Sequence, residues 1–357
     1  MGKTKEIINF FHKQSFLFFI SSLLIFTILP LIKIYNFKSS FYDLIFYLNY
    51  FKEINNHNYS LLFNFNLQLI NFLIANVLKL FPIDKWFVIL IIFQSFCLSA
   101  PHLIFKKNIN IHIIYLLFPT IWFTSLNNFH PEVLIVPIIF LLNRAIFDEK
   151  INNLKIYFYL IVIIFIKSSF TILVIGYAFI LLKKNKDKKL ISFLFISLFI
   201  YIYFFLITND YARYSDLKKI VIDNKNYIYQ NFFNIRFILS IFVLVFASGY
   251  FLKPNILKIL PAIFLLIVYY FLPSDHFKNY YNHYYIALVP FFIFSIEASP
   301  VIKRFNMKLS TLILIIHIFL SPSPLSIIFW NDLNWFYDKN TFFNLSKNLN
   351  THKFIRN

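Results

Sequence analysis

The sequence predicts an all-α fold, a polytopic integral membrane protein of about 11 transmembrane helices plus an interfacial helix. Of its 357 residues, 59% are hydrophobic and only 14% are charged. Apolar runs long enough to cross about 30 Å of hydrocarbon recur along the whole chain. This composition excludes a disordered chain and is wrong for a water-soluble domain.

The basic residues orient the chain in the membrane. The formal net charge is +19, but the lysines and arginines lie in short loops between apolar runs rather than on one polar face. That distribution gives no support to nucleic-acid binding and suits the positive-inside rule, which weights short cytoplasmic loops. The single cysteine, Cys97, can form neither a disulfide framework nor a thiolate metal site.

The N-terminal segment predicts an uncleaved first span with the N-terminus in the cytoplasm. Three lysines precede an apolar run over 16–32, in the order that a signal peptide also shows. The run is longer than an ordinary signal-peptide core, and Lys33 follows it where a small-residue cleavage site would stand. We therefore expect a multi-pass protein of the plasma (inner) membrane.

A first outer loop over 35–85 follows this span. Its apolar part, 61–81, carries several polar side chains, namely Asn64, Asn66, Gln68, Asn71, Asn76 and Lys79. So many polar groups suit a helix that lies in the membrane interface rather than one that crosses the bilayer.

Further apolar runs complete a single predicted membrane domain over 1–320, and a short polar C-terminal tail over 321–357 is predicted outside. The runs are 86–105, 111–126, 133–147, 156–166, 169–182, 190–208, 237–252, 256–272, 284–299 and 309–320. Short basic loops alternate with them on the predicted inner side, and five lysines within 183–189 are the firmest anchor of this orientation.

The stretch 156–182 has two interpretations. It forms either two short segments that meet at Lys167 or a continuous helix of about 27 residues with Lys167 near its middle. A lysine at the bilayer centre costs roughly 2.5 to 3.5 kcal/mol on insertion scales. The basic loops on both sides favour a hairpin with both ends inside.

A polar corner over 125–137 separates two apolar runs and brings His130 close to Glu132. Pro131 suits the first turn of the following helix, where its missing N–H is not needed. Glu132 then faces the positive end of the helix dipole, and this capping role explains it as fully as a catalytic role does. His130 can donate to a phosphate or a sugar hydroxyl, or simply bond a loop carbonyl.

Four further candidates face the same outer side under this topology. Asp43 lies among apolar and aromatic residues in F-Y-D-L-I-F-Y, where partial desolvation favours a proton-accepting carboxylate; a helix cap at the interface is the alternative. Lys167 can neutralise a lipid-linked phosphate or extend to the headgroups. Asp275 and His283 belong to a tyrosine-rich loop, which suits sugar rings and also an interfacial aromatic belt.

Several short motifs occur in a characteristic order over 41–330. They read F-Y-D-L-I-F, N-N-F-H-P-E-V-L-I-V-P, I-I-F-I-K-S-S, Y-N-H-Y-Y-I-A-L-V-P-F and S-P-S-P-L-S. In this order they resemble an uncharacterised family of bacterial membrane proteins, the domain of unknown function two-zero-seven-nine. That family is similar in turn to the GT-C class of polytopic glycosyltransferases. Relatives commonly carry an acid after the lysine of the third motif, where this chain has Ser168 and Ser169.

The resemblance implies a membrane glycosyltransferase that uses a polyprenyl-phosphate sugar and an outer-face acceptor. The candidate catalytic residues are Asp43 and Glu132, and the candidate substrate-binding residues are His130, Lys167, Asp275 and His283. No ligand spacing demands a metal, although a divalent metal stays an open alternative. A carrier or lipid flippase and a non-enzymatic membrane scaffold are the rival interpretations.

Overall fold

The computed structural model describes 2–35, 42–56, 69–105, 109–127, 129–147, 153–167, 170–185, 256–271 and 283–298, with isolated positions between 192 and 325. Helices dominate these residues, and no strand occurs among them. The all-α prediction is confirmed for this part of the chain.

The α-helices of the described residues are α1 (Gly2–Tyr35), α2 (Tyr42–Asn55), α3 (Leu69–Leu78), α4 (Trp86–Ser99), α5 (Pro101–Ile104), α6 (Ile109–Leu116), α7 (Pro119–Asn127), α8 (Ile135–Phe147), α9 (Asn153–Ile166), α10 (Thr171–Asn185), α11 (Ile256–Phe271) and α12 (Val289–Ala298). Short 3-10 helices cover Ile83–Lys85, Pro131–Leu134 and His283–Ala287.

Two described helical segments are long and apolar enough to cross a membrane, Lys13–Ile34 and Ile83–Ile104. A third candidate is Ile109–Leu116 together with Thr120–Leu126, two helices that meet at a bend of 54°. Shorter apolar helices of 10 to 17 residues also occur among the described residues. These segments support a helical membrane protein, and the full set of spans stays a prediction.

The bend divides the predicted run 111–126 into α6 and α7. Pro119 is the cause, since a proline has no N–H to donate and disfavours helical backbone in the residue before it, Phe118. Helical hydrogen bonding resumes directly after the bend, since Ile121 donates its N–H to the Phe118 carbonyl at 3.0 Å.

Helix α1 packs along α4, and a serine joins the two at a proline. Pro30 lies inside α1, so the carbonyl of Phe26, four residues earlier, has no helical N–H to accept. The Ser95 hydroxyl of α4 donates to that carbonyl at 2.7 Å and also lies 2.7 Å from the Ile91 carbonyl. A neighbouring side chain thus replaces the missing backbone bond, which is how membrane helices accommodate proline.

The second half of the described chain packs around α8. Helices α9 and α12 both contact α8, and α10 packs along α11. The Tyr177 hydroxyl of α10 donates to Asn143 Oδ1 of α8 at 2.7 Å, and both groups are buried. Gly176 permits the α10–α11 contact, since a Cβ at this position would lie 2.5 Å from the Pro261 Cα.

Helices α9 and α10 decide between the two interpretations of 156–182. They are separate helices that end and begin on either side of Lys167, so this lysine lies at a helix end and not in the middle of a span. Within the predicted interfacial helix over 61–81, the described residues form α3 over Leu69–Leu78, and 61–68 lie outside the described residues. The predicted spans 190–208, 237–252 and 309–320 and the tail 321–357 also lie outside them, apart from isolated positions.

Candidate functional site

The corner before α8 has the local structure that its proline requires. His130 is extended, with φ −134° and ψ 110°, and Pro131 opens the 3-10 helix Pro131–Leu134 that leads into α8. The Val133 N–H donates to the His130 carbonyl at 3.1 Å. The predicted place of Pro131 in the first turn is confirmed, and Glu132 follows it in the same turn, where the helix dipole favours an anion.

Gln94 of α4 fixes the corner to its neighbours. Its Oε1 accepts the His130 N–H at 2.8 Å, and its Nε2 donates to the Thr124 carbonyl of α7 at 2.9 Å. The side chain is buried, so both bonds form away from water, where an unpaired amide would be costly. Gln94 therefore positions the backbone that carries His130 and Glu132.

Glu132 and Lys167 form a partly buried ion pair. Lys167 Nζ donates to Glu132 Oε1 at 2.9 Å, and the two side chains are 17% and 10% exposed. His130 Nδ1 lies 4.0 Å from Glu132 Oε2, within ion-pair reach when the imidazole is protonated. Three of the predicted site residues thus meet at one end of the helices, and Lys167 is 35 positions from Glu132 along the chain.

The charges at this corner keep Glu132 ionised. Burial raises the pKa of the carboxyl, but the nearby charges of Lys167 and His130, the hydrogen bond from Lys167 and a backbone hydrogen bond outweigh it and lower the pKa to about 2. A carboxylate with so low a pKa is a weak proton acceptor at neutral pH. The geometry therefore suits Glu132 to the role of holding Lys167 in place.

Helix α2 packs directly against the corner through aromatic rings. The Phe129 ring makes edge-to-face contacts with Tyr47 at 5.5 Å and Phe51 at 6.3 Å between centroids. Asp43 is the second residue of α2 and precedes Tyr47 by four positions, about one helical turn. Helix α2, which contains Asp43, therefore packs on the corner through Tyr47 and Phe51.

His283 and Asp275 come from the last predicted outer loop. His283 opens the 3-10 helix His283–Ala287, which packs against α7, α8 and the 3-10 helix that contains Glu132. Asp275 lies outside the described residues. The structure therefore brings the backbone of His283 to the same end of the bundle.

Two residues near this end were not predicted from the sequence. Lys33 lies in the last turn of α1 and is buried, with 7% of its surface exposed. The next residue, Ile34, packs in the hydrophobic cluster that contains Phe129. The signal of Lys33 is the one that singled out Lys167, a lysine directly after an apolar run. Gln94 gave a weaker signal, a lone amide inside an apolar run.

Two hydroxyls on α7 add polar groups close to this corner. Thr124 Oγ1 and Ser125 Oγ are buried and have no hydrogen-bond partner among the described residues. Buried hydroxyls without a protein partner are places where water or a polar ligand binds. Within the described part of the chain, no three His, Cys, Asp or Glu side chains come together as a metal site would require.

Comparisons of the chain with protein-family models, with curated proteins and with solved structures gave no match. The resemblance inferred from the order of the motifs therefore stays a prediction, and the geometry of the corner has to support a function by itself.

Proposed function

We propose that this protein is a membrane glycosyltransferase that takes a sugar from a polyprenyl phosphate at the outer face of the membrane. One observation carries the proposal. The helix that begins beside Asp43 packs on the corner in which Glu132 holds Lys167. A carboxylate and a fixed cation on adjoining elements are the two groups that such a transfer needs.

Each of the two groups has its own task in the reaction. Asp43 accepts the proton of the acceptor hydroxyl while the hydroxyl oxygen bonds to the anomeric carbon of the sugar. The bond from that carbon to the phosphate oxygen breaks, and its electron pair leaves with the polyprenyl phosphate. Lys167 stabilises the negative charge that develops on this oxygen, and direct displacement inverts the anomeric centre.

The partner of Lys167 explains why a lysine can lie in this place. An ammonium has three N–H groups, and the bond to Glu132 uses one of them. The carboxylate fixes the direction of the lysine, and the buried Lys33 adds positive charge at the same end of the helices. A positioned donor stabilises a transition state better than a flexible one, because it needs no reorganisation.

The proposal is tested by the lipid-linked sugars of cells that lack the protein or carry a variant. We expect one polyprenyl-phosphate sugar to accumulate equally in the deletion strain and in an Asp43→Asn strain, as seen by mass spectrometry at matched membrane abundance. Glu53→Gln removes another carboxylate from α2 and is the matched control, which should resemble wild type. An unchanged lipid pool in both the deletion and the Asp43→Asn strains would contradict the proposal.

A carrier is the second candidate, because buried ion pairs lie towards both ends of α8. Lys167 pairs with Glu132 just before this helix, and Arg144 near its other end pairs with Glu297. Ion pairs that open alternately on the two sides of a bundle would suit transport. Movement of a labelled lipid across vesicles by the purified protein, without a new glycosidic bond, would favour this function over transfer.

A further inference from the structure

Two buried histidines, His102 of α5 and His112 of α6, face each other. Their Nδ1 atoms lie 2.8 Å apart, and the residues are 0% and 2% exposed. The ring centres are 5.1 Å apart, and the ring planes differ by 18°. Because the nitrogens are so close while the ring centres are so far apart, the rings lie edge to edge in nearly one plane. The N–H of one ring therefore points at the lone pair of the other, as a hydrogen bond requires.

Aromatic rings surround this pair. The ring centre of Phe18 on α1 lies 5.7 Å from that of His102 and 4.8 Å from that of His112. Phe105 makes edge-to-face contacts with both histidines, and Tyr115 makes one with His102. Within the described residues, neither imidazole has a hydrogen-bond partner besides the other imidazole. Ionisable side chains in such apolar surroundings are rare in membrane proteins and characteristically mark functional sites.

The hydrogen bond and the burial together assign the protons of the two rings. A neutral imidazole carries one N–H, so one histidine donates from Nδ1 and the other accepts. His102 Nε2 is buried and has no partner among the described residues. An unpaired acceptor is tolerated in such a place better than an unpaired N–H. His102 therefore donates from Nδ1 and keeps a bare Nε2, while His112 carries its proton on Nε2.

Ser99 adds a second polar atom beside this bare nitrogen. It precedes His102 by three positions in the helical segment Ile83–Ile104, so the two side chains are neighbours, about 5 to 6 Å apart at Cβ. The Ser99 hydroxyl is also buried and has no partner in the described part of the chain. Two polar groups at this spacing suit a bridging water. Such a water would bring a proton donor to His102 Nε2.

We propose that His102 and His112 form a proton-transfer site. A proton from the water beside Ser99 binds to His102 Nε2. The Nδ1 proton of His102 then moves along the hydrogen bond to His112 Nδ1, and the Nε2 proton of His112 leaves to water. One proton enters and one leaves, each ring exchanges its tautomer, and transfer in the opposite direction restores the first state. Histidine is suited to this role because each ring nitrogen can hold the proton.

The position of the pair gives the transfer a route. His102 lies two residues before the end of α5, and His112 lies three residues after the start of α6. The connection between them contains Lys106 and Lys107 and is predicted to lie on the inner side. The pair would therefore move protons between inner-side water and a position about one helical turn deeper, at Ser99. The proposal is independent of the transferase function, since it uses none of the residues at the corner.

A purely structural pair is the alternative. It accounts for the hydrogen bond but not for the choice of histidine, because replacing both members of a buried hydrogen bond by apolar groups of similar shape is nearly neutral or stabilising. Other titratable groups near the pair are already engaged. The Tyr115 hydroxyl donates to the Leu98 carbonyl at 2.6 Å, and Arg144 contacts the Ile104 carbonyl at 3.4 Å.

Exchange of the imidazole protons for deuterium in the purified full-length protein tests the proposal. NMR of protein with ¹⁵N-labelled histidine rings follows the signals of His102 and His112 after transfer to deuterium oxide. We expect the Nδ1 proton between the two rings to exchange nearly as fast as that of a histidine at the surface, because transfer along the pair delivers it to water. Protection of this proton for hours, as in a static buried hydrogen bond, would overturn the proposal.

Two variants separate transfer through the pair from simple local opening. His112→Asn keeps a hydrogen-bonding group near the Nδ1 position but cannot pass a proton on. Exchange at His102 should become slower by about 100-fold, the lower end of what a positioned proton acceptor contributes. Ser99→Ala, a milder change, should also slow it, because the water loses a partner.

Tyr115→Phe is the matched control for these variants. It removes a buried hydroxyl from the ring beside His102 and leaves both imidazoles in place, so exchange should stay at the wild-type rate. Wild-type exchange at His102 in either His112→Asn or Ser99→Ala, or equal slowing in Tyr115→Phe, would overturn the proposal.

Discussion

The two ends of α8 lie beside ion pairs that differ in their partners and in their surroundings. Before the helix, Lys167 pairs with Glu132 beside His130, and an aromatic helix that begins near Asp43 covers the corner. Near its end, Arg144 pairs with Glu297, while Lys258 adds a second cation over aromatic rings.

The difference separates a corner that is proposed to take part in transfer from an ion pair that joins helices. At the corner, a carboxylate with a lowered pKa fixes one lysine, and α7 carries two buried hydroxyls without a partner among the described residues. At the other end, Arg144 donates to both carboxylate oxygens of Glu297, and Lys258 lies over the Phe147 ring. We expect variants of the first end to alter the proposed transfer reaction and variants of the second to alter stability.

The largest loss of stability is expected for Arg144→Met. It leaves Glu297 buried without its arginine, and breaking a buried ion pair from one side costs about 3 to 5 kcal/mol. The folded fraction in detergent, measured by size-exclusion chromatography after graded heating, should fall clearly below that of wild type. Replacing both partners, Arg144→Met with Glu297→Leu, should restore most of the stability. Equal stability of the single variant and wild type would contradict the pairing.

Lys167→Met should cost less stability, about 2 to 3 kcal/mol, because Lys167 is more exposed than Arg144 and Glu132 keeps its backbone hydrogen bond. Its effect on transfer should exceed its effect on folding. Thermal unfolding and the lipid-linked sugar pool, measured on the same membranes, separate the two. A variant that unfolds like wild type and leaves the lipid pool unchanged would remove Lys167 from the site.

Gly176→Ala should affect the far end selectively. A Cβ at this position would lie 2.5 Å from the Pro261 Cα, so α11, which carries Lys258, must move away from α10. Overpacking of this kind costs about 1 to 3 kcal/mol. Thermal unfolding should show the loss, and Ala178→Gly, a change of similar size on the same helix, is a control for helix propensity. Unchanged stability in Gly176→Ala would contradict the close packing of α10 on α11.

Gln94→Leu should loosen the corner by about 1 to 2 kcal/mol, since the His130 N–H and the Thr124 carbonyl both lose a partner. Hydrogen exchange measured by mass spectrometry should show faster exchange for a peptide over 129–134 than in wild type. Unaltered exchange at the corner would show that Gln94 does not hold it.

The smallest effect at neutral pH is expected from the titration of Glu132. Its pKa is lowered to about 2, so the pair contributes stability that is complete above the usual pKa of 4.5 and is lost as the pH falls towards 2. Unfolding temperatures should therefore be flat between about pH 7 and pH 5 with respect to this group. A Glu132→Gln variant should lack this part of the acid-induced loss, and an identical acid profile would contradict the assignment.

The sequence predicted which residues lie at the same end of the helices better than it predicted their partners. Alternating spans and basic loops put His130, Glu132 and Lys167 on one side, and the structure brings them together. The pairing of Lys167 with Glu132 depends on how α9 packs on the corner, and no local pattern encodes that contact.

The ion pair near the other end of α8 shows the same limit. In the sequence, Arg144 contributed only to the predicted orientation of the chain in the membrane. Its partner, Glu297, is 153 positions away, so no local pattern indicates the pair. Proline was the most informative local signal, since Pro131 opens the helix where expected. Pro119, however, also divided a run that hydropathy alone predicts as continuous. Hydropathy reports the transfer of side chains out of water, whereas a bend depends on single backbone hydrogen bonds.

The most direct test compares each candidate residue with a matched residue on the same or the preceding helix. Strains with Asp43→Asn or Lys167→Met are compared with strains carrying Glu53→Gln on α2 or Lys155→Met on α9, all at matched membrane abundance. Mass spectrometry of the lipid fraction should show the same polyprenyl-phosphate sugar accumulating in the first two strains and wild-type amounts in the other two. Wild-type amounts in all four strains, or equal accumulation in all four, would contradict a transfer site at this corner.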